Sequence, residues 1–305
     1  MINFRYHLVS LVGVLFALSI GLVLGSGLLS SGTGTAAAVQ VVDLQAETAL
    51  LRERVAANEA TVSFADSFGA ATQQSQVEGT LTDRPVVVVA VPGADDQVLA
   101  GTREALSAAG ASVVGTIAVD ASWSDAASEP LLDSLAAQLV TSGAALPDTD
   151  GYERGAVVLA ASVLGPAAGD ESSELETTPA AFAEAGLISL SEPLSGPAEL
   201  AVLVTGGPVD DDGEAGRRLG ALASLAGAFD SEGAGAVLAG PPDSAANLGL
   251  VDAVRSDVDL AAQLSTVDMA QVSSGRTSTA LALAEQAEGG VGHYGAVGQV
   301  DGPLP

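Results

Sequence analysis

Apolar positions follow three successive patterns along this chain. The first is an unbroken run of 22 residues from Leu8 to Leu29 without a charged side chain. As a helix it spans roughly 33 Å, enough for the hydrocarbon core of a bilayer. It predicts a cytoplasmic tip and transmembrane anchor over 1–30. Arg5 and His7 precede the run and the next charge is Asp43. Basic residues stay on the cytoplasmic side, so the prediction is a single-pass protein of the cell membrane, with an N-terminus inside and the bulk of the chain extracytoplasmic. A cleaved signal peptide is the competing reading, with Thr35-Ala36-Ala37-Ala38 as the small-residue cleavage region. The run is longer than an ordinary signal-peptide core and its basic end is minimal. Within it, Gly13, Ala17, Gly21 and Gly25 recur every fourth residue. That spacing puts small side chains on one helix face, where two helices in lipid could approach closely.

The second pattern is a heptad, within a linker and coiled-coil stalk expected over 31–82. Ser30 to Ala37 is a small-residue linker. Val41, Leu44, Leu51, Val55 and Val62 then fall on a and d positions, with Thr48 and Asn58 filling the other core sites. A short parallel coiled coil between two copies fits this spacing. An amphipathic helix lying on its own domain fits it too. Gln73 to Thr82 is polar and predicts a loop.

The third pattern fills 83–305 and predicts an α/β domain with a mostly parallel sheet and helices on both faces. Pro85 to Val91 is continuously apolar, as a strand covered on both sides should be. Asp95 or Asp96 caps a predicted helix to Ala109, Gly110 sits at its C′ position, and Ser112 to Val119 is the next strand. Further strands are expected at Glu199–Val204, Ala236–Ala239 and Gln263–Val267. Helices are expected at Pro130–Val140, Ala180–Ala185, 212–229, Ser244–Arg255 and Ser274–Gln286, while Ala156–Leu164 fits either type. Pro166 to Thr178 is acidic and Ser-rich and is expected to be mobile. The turns after Val91, Val204 and Ala239 share one plan, Gly and Pro followed by acids, which suggests an internal duplication.

Composition narrows the chemistry. The chain has 38 acidic and 10 basic residues, all ten of them Arg, for a formal charge of −28. Such a chain has no basic stripe for nucleic acid. It has no Cys and only His7 and His293, which removes disulfides, thiolate sites and multi-histidine cages within one chain. No G-x-G-x-x-G or P-loop follows a strand, and no G-x-S-x-G elbow is present. Asp at the helix starts competes with phosphate for the same N–H groups. Ligands of a parallel sheet bind beyond the carboxyl ends of its strands. The candidate metal ligands there are Asp95, Asp96, Asp210, Asp211 and Asp212, with helix capping and solvation as the alternative. His293, between Gly292 and Tyr294-Gly295, is a further candidate ligand or a packed ring holding a turn. No catalytic residue can be named, so the reading is non-enzymatic.

The opening Asn3-Phe4-Arg5-Tyr6-His7-Leu8-Val9-Ser10-Leu11, with Gly21-Leu22-Val23-Leu24-Gly25-Ser26, resembles the actinobacterial copper transporter family typified by mycobacterial MctB. The ending is similar too, in Ser265-Thr266-Val267-Asp268, Gly275-Arg276, Leu281-Ala282-Leu283-Ala284-Glu285-Gln286 and Gly289-Gly290-Val291-Gly292-His293-Tyr294-Gly295. The resemblance implies copper homeostasis or export at the cell envelope, with copper implied by it alone. The expected partners are the membrane, further copies of the chain in a homo-oligomer, and an envelope protein. The rival reading is an envelope or cell-division scaffold that recruits proteins through the stalk and the acidic domain.

Overall fold

The structure, a computed structural model, describes residues 12–20, 33–140, 146–165 and 172–305. The chain divides into two compact units, Met1–Ala65 and Asp66–Pro305.

One helix, α1 (Thr33–Val77), runs for 45 residues. Its Ala-, Gln- and Glu-rich sequence has no Pro and only two Gly, Gly34 and Gly69, so little in it opposes helix. It takes in the expected linker from Thr33 onward and the expected loop as far as Val77. Of the apolar run at 8–29, residues 12–20 are described and are helical. Gly13 and Ala17 lie in that stretch, whereas Gly21 and Gly25 lie outside the described residues. Among the described residues, no helix is long and apolar enough to cross a membrane. The expected transmembrane helix is corrected on that finding. Residues 12–20 are helical, and the rest of that run lies outside the described residues. Helix α1 is long enough, but Asp43, Glu47, Arg52, Glu53, Arg54 and Glu59 interrupt it.

The expected coiled-coil stalk is corrected as well. Val41, Leu44, Leu51, Val55 and Val62 are all exposed, between 52% and 61%. Leu50, Phe64 and Phe68 are exposed too and lie off the heptad seam. Three exposed apolar side chains thus lie outside the seam, and no second helix among the described residues covers it.

In the second unit, strands and helices alternate: β1 (Pro85–Ala90), α2 (Asp96–Ala108), β2 (Ser112–Val119), α3 (Glu129–Leu139), α4 (Gly151–Val163), α5 (Ser172–Glu184) and β3 (Ile188–Leu190). They continue through β4 (Leu200–Val204), α6 (Ala215–Ser231), β5 (Ala236–Ala239), α7 (Leu250–Ser256), α8 (Val258–Ala261), β6 (Ser265–Val267), α9 (Ser273–Ala287) and β7 (His293–Tyr294). Among the described residues the sheet has seven strands, in the order β3-β2-β1-β4-β5-β6-β7. Only β2–β3 is antiparallel, with Val119 opposite Ile188; the other pairs are parallel.

Alternation along the central strands builds two cores. Val87, Val89, Ala201 and Leu203 pack on one face with Leu132 of α3, Leu159 of α4, Phe182 of α5 and Phe229 of α6. Val86, Val88, Leu200 and Val202 pack on the other with Leu106 of α2, Leu283 of α9 and Val77 at the end of α1. Helices thus cover both faces, which is why β1 and β4 are apolar at every position. Each fully buried Leu or Val contributes about 1.5–3 kcal/mol through removal from water.

Local differences from the expectations have identifiable causes. Residues 151–163 resolve as helix, capped by Asp150, whose Oδ1 accepts from the Glu153 N–H at 3.0 Å, and a side chain at Gly151 would strike the Glu129 carbonyl oxygen of α3. The helix expected from Ser244 to Arg255 is split, since Leu248 takes φ 66° and α7 begins only at Leu250. Of the segment expected to be mobile, 166–171 lies outside the described residues, and from Ser172 the chain is helical.

Candidate functional site

The strand order makes a crevice by itself. From β1 the chain crosses to β2 on one side, and β4 later pairs on the other. The loops leaving β1 and β4 therefore diverge at the carboxyl end of the sheet, the usual ligand position in open α/β folds. A cleft of about 740 Å³ opens there. Its floor is Gly93, Thr205, Gly206 and Gly207, with Pro241 beside them. Gly93 turns the chain with φ +85°. A side chain on Gly206 would strike the Gly93 carbonyl oxygen, so the floor stays bare. Gln97, Val98 and Gly101 of α2 form one wall, while Asp66 of α1 and Arg276 of α9 stand at the rim.

Four carboxylates face this space, those of Asp66, Asp95, Glu104 and Asp243. Two of them are held through one oxygen. Asp95 Oδ1 caps α2, accepting from the Gln97 and Val98 N–H groups at 2.8 and 3.1 Å. Asp66 Oδ1 accepts from the Ser273 N–H and hydroxyl, both at 2.6 Å. These bonds from Ser273, the hydroxyl's first, with Arg276 nearby, hold the Asp66 carboxyl below the usual range. Arg276 donates to the Gln271 carbonyl at 3.0 Å and lies over Gly101, whose missing side chain makes room for it. Among the described residues, none of the four carboxylates forms an ion pair with Arg.

The structure places the candidate metal ligands apart. Asp95 lines the cleft, while Asp96 sits in the first exposed turn of α2. Asp210, Asp211 and Asp212 form the loop before α6. Both Asp212 oxygens accept from Arg218, at 2.7 and 2.9 Å, and the Asp210 carbonyl accepts from the same guanidinium. Arg218 depresses the Asp212 pKa. His293 is at the far edge of the sheet, on β7. Its Nδ1 lies 2.9 Å from Thr266 Oγ1, and that oxygen already accepts from Arg255 Nε at 2.8 Å. A hydrogen bond thus joins the Thr266 hydroxyl to the imidazole ring. Burial, then Arg255, pushes the His293 pKa down. Arg255 also pairs with the fully buried Asp268 at 2.9 Å. Among the described residues, no three His, Asp or Glu side chains converge on a point that could hold a metal ion.

Asp66, Glu104 and Arg276 carry no sequence signal for the cleft. Asp66 is 207 positions from Ser273, and only the fold brings them together. Asp243 was legible as the acid of the third Gly/Pro turn, but not as a neighbour of Gly207.

Comparison with known proteins supplies what the geometry does not. The family model described as "Copper transport outer membrane protein, MctB" matches residues 1–305. Copper transporter MctB of Mycobacterium tuberculosis is 32% identical, over 97% of this chain and 96% of its own. The Mycobacterium bovis protein of the same name has the same identity and coverage. That of Mycobacterium leprae is 29% identical over the same shares.

Proposed function

We propose a role in copper transport at the cell envelope, from the premise that this chain belongs to the MctB family of copper transport proteins over its whole length. The observation that carries the reading is 32% identity across 97% of the chain with relatives named as copper transporters. The family description supports an envelope location. Copper is the cargo, and the protein handles it without enzymatic chemistry. The charge of −28 and the carboxylates at the strand ends draw cations towards this domain. Ligands shared between copies complete any tighter hold on copper, because carboxylate and imidazole suit Cu(II) and the chain has no Cys.

The test is removal of the gene in its host and return of the intact gene. Cells lacking the protein should accumulate more copper and stop growing at lower copper, and complementation should reverse both. Unchanged copper content and tolerance would reject the reading. A scaffold role has one observation in its favour, the exposed apolar residues scattered along α1. In that case the deletion phenotype would be indifferent to copper, and the intact protein would retain an envelope partner on affinity capture.

A further inference from the structure

The cleft beyond β1 and β4 has hydrogen-bond donors on its floor that the fold itself does not use. Thr205 directly follows β4 and is only 4% exposed. Its methyl group is turned to Gly240, where an added Cβ would meet it at 2.8 Å. Its hydroxyl has no hydrogen bond among the described residues. The Thr102 hydroxyl also lacks a partner but is sealed inside the protein, whereas that of Thr205 opens on the cleft that the residue lines. The backbone adds to it. The Val91 N–H donates to the Val204 carbonyl, and the Thr205 N–H donates to Ala239 on the other side. Beyond these bonds the N–H groups of Gly206 and Gly207 have no acceptor among the described residues. Gly206 is buried, and a buried N–H without a partner is rare in a folded protein.

Three unused donors on three consecutive residues thus lie beneath a space of about 740 Å³, the size of a small-molecule site. They call for an acceptor, and a carboxylate supplies two oxygens. The walls decide what carries it. Four carboxylates face the same space, so a ligand of net negative charge is repelled. That disfavours phosphate, as does the start of α2, whose Gln97 and Val98 N–H groups are already used by Asp95. A carboxylate is admitted only on a molecule that also carries positive charge. Asp95 is anchored through Oδ1, and its Oδ2 has no hydrogen bond among the described residues. That oxygen is an acceptor for an ammonium group, held in place before the ligand arrives.

We infer that this cleft binds a cationic α-amino acid, its carboxylate accepting from the Thr205 hydroxyl and the Gly206 and Gly207 N–H groups and its α-ammonium donating to Asp95. The inference is independent of the copper reading, since neither the probe nor the readout involves copper.

The test is calorimetric titration of the full chain with L-arginine and, in parallel, with agmatine, at about 150 mM salt, where contacts between distant surface charges are screened. Agmatine keeps both cationic groups of arginine and lacks the carboxylate. L-arginine should fill one site per chain, and agmatine should bind at least about tenfold more weakly, because hydrogen bonds to a charged group are the strong ones. This comparison uses the unaltered protein and needs no variant. Thr205→Val, which keeps the shape and removes the hydroxyl, should weaken L-arginine about tenfold and leave agmatine unchanged. Absence of saturable L-arginine binding would overturn the inference. So would agmatine binding as tightly as L-arginine, which is attraction of any cation to acidic walls. Inorganic phosphate that binds more tightly than L-arginine, and is lost in Thr205→Val, would overturn it too by giving the floor donors to another anion.

Discussion

Asp66 ties the last turns of α1 to the start of α9, and its removal tests that joint directly. Helix α9 begins at Ser273 with Val272 at the N-cap, a residue with no side-chain oxygen to offer. Asp66 supplies the missing cap from another helix, at 2.6 Å to both the Ser273 N–H and its hydroxyl, and Ser273 is fully buried. Loss of a side-chain cap costs roughly 0.5–2 kcal/mol, and a buried donor left without a partner about 1–3 kcal/mol. The Ser273 hydroxyl can still turn to the Asp66 carbonyl oxygen at 3.0 Å, so only the N–H is stranded. Asp66→Ala should therefore destabilise the second unit by about 2 kcal/mol. Asp66→Asn keeps an acceptor and loses the charge beside a helix N-terminus, worth about 0.3–1 kcal/mol. Urea denaturation followed by the fluorescence of Trp123, the chain's single Trp, measures both. The pH dependence is a second constraint. The folded pKa of Asp66 is lowered, so its contribution is complete above the ordinary 3.8 and is lost as pH falls through the folded value. The gap between wild type and Asp66→Ala should then close in strong acid. A difference below about 0.5 kcal/mol at pH 7, or one that persists unchanged at pH 2, would refute the capping argument.

Three further outcomes follow from the two cores and the titrating groups. Asp230, desolvated by burial although it accepts from the Ala236 N–H at 2.9 Å, has its pKa pushed up to about 6. Its folded pKa lies above the unfolded one, so its stabilising contribution is present below pH 3.8 and lost as pH rises through about 6. Asp230→Asn should raise stability by about 1 kcal/mol at pH 8 and by nothing at pH 3, after allowance for partial exposure. His293 acts in the opposite direction, its lowered pKa making the fold less stable as pH falls below 6.5; a stability–pH series on His293→Asn should lack that loss. Phe182 stacks on Trp123 at 5.7 Å between ring centroids, and both are fully buried. Phe182→Ala should cost about 3–5 kcal/mol in chemical denaturation and shift the Trp123 emission to the red.

How far the fold could be read in advance depended on whether the cause was local. The β1–α2–β2 unit was legible because its signals sit within one stretch. Val86–Val89 are apolar on both faces, Asp95 caps, and Gly110 takes the φ of +90° that a helix C′ position favours. Helix α4 was ambiguous because Gly151 and Gly155 argue against helix in isolation. In the fold they are what lets α3 approach, Gly155 leaving only 2.8 Å between an added Cβ and Leu132. Strands β3 and β7 have three and two residues, too few for alternation to register, and neighbouring strands place them. In the cleft, Asp95 announced itself by its spacing from β1. Asp66 and Arg276 did not, since their positions depend on where α1 and α9 dock. In the sequence His293 fitted a packed ring first and a ligand second, and its hydrogen bond with Thr266 holds it at the sheet edge. The exposed seam of α1 shows the converse, a heptad spacing present in the sequence without a second helix among the described residues to use it.

The ends of the sheet carry a consequence for how the molecule meets others of its kind. A sheet grows by adding a strand at an open border, and that border is where soluble β structure turns to aggregates. Here β3 offers only Ile188–Leu190 in reversed direction. At β7 the chain folds back on itself: the Gly295 N–H donates to the Gly302 carbonyl, the Asp301 N–H donates to the His293 carbonyl, and Tyr294 bridges to Gly302. The backbone that a foreign strand would need is already occupied by residues 301 and 302. Shortening the chain before Asp301 would uncover it, and the expected result is a protein that loses solubility before it loses its fold.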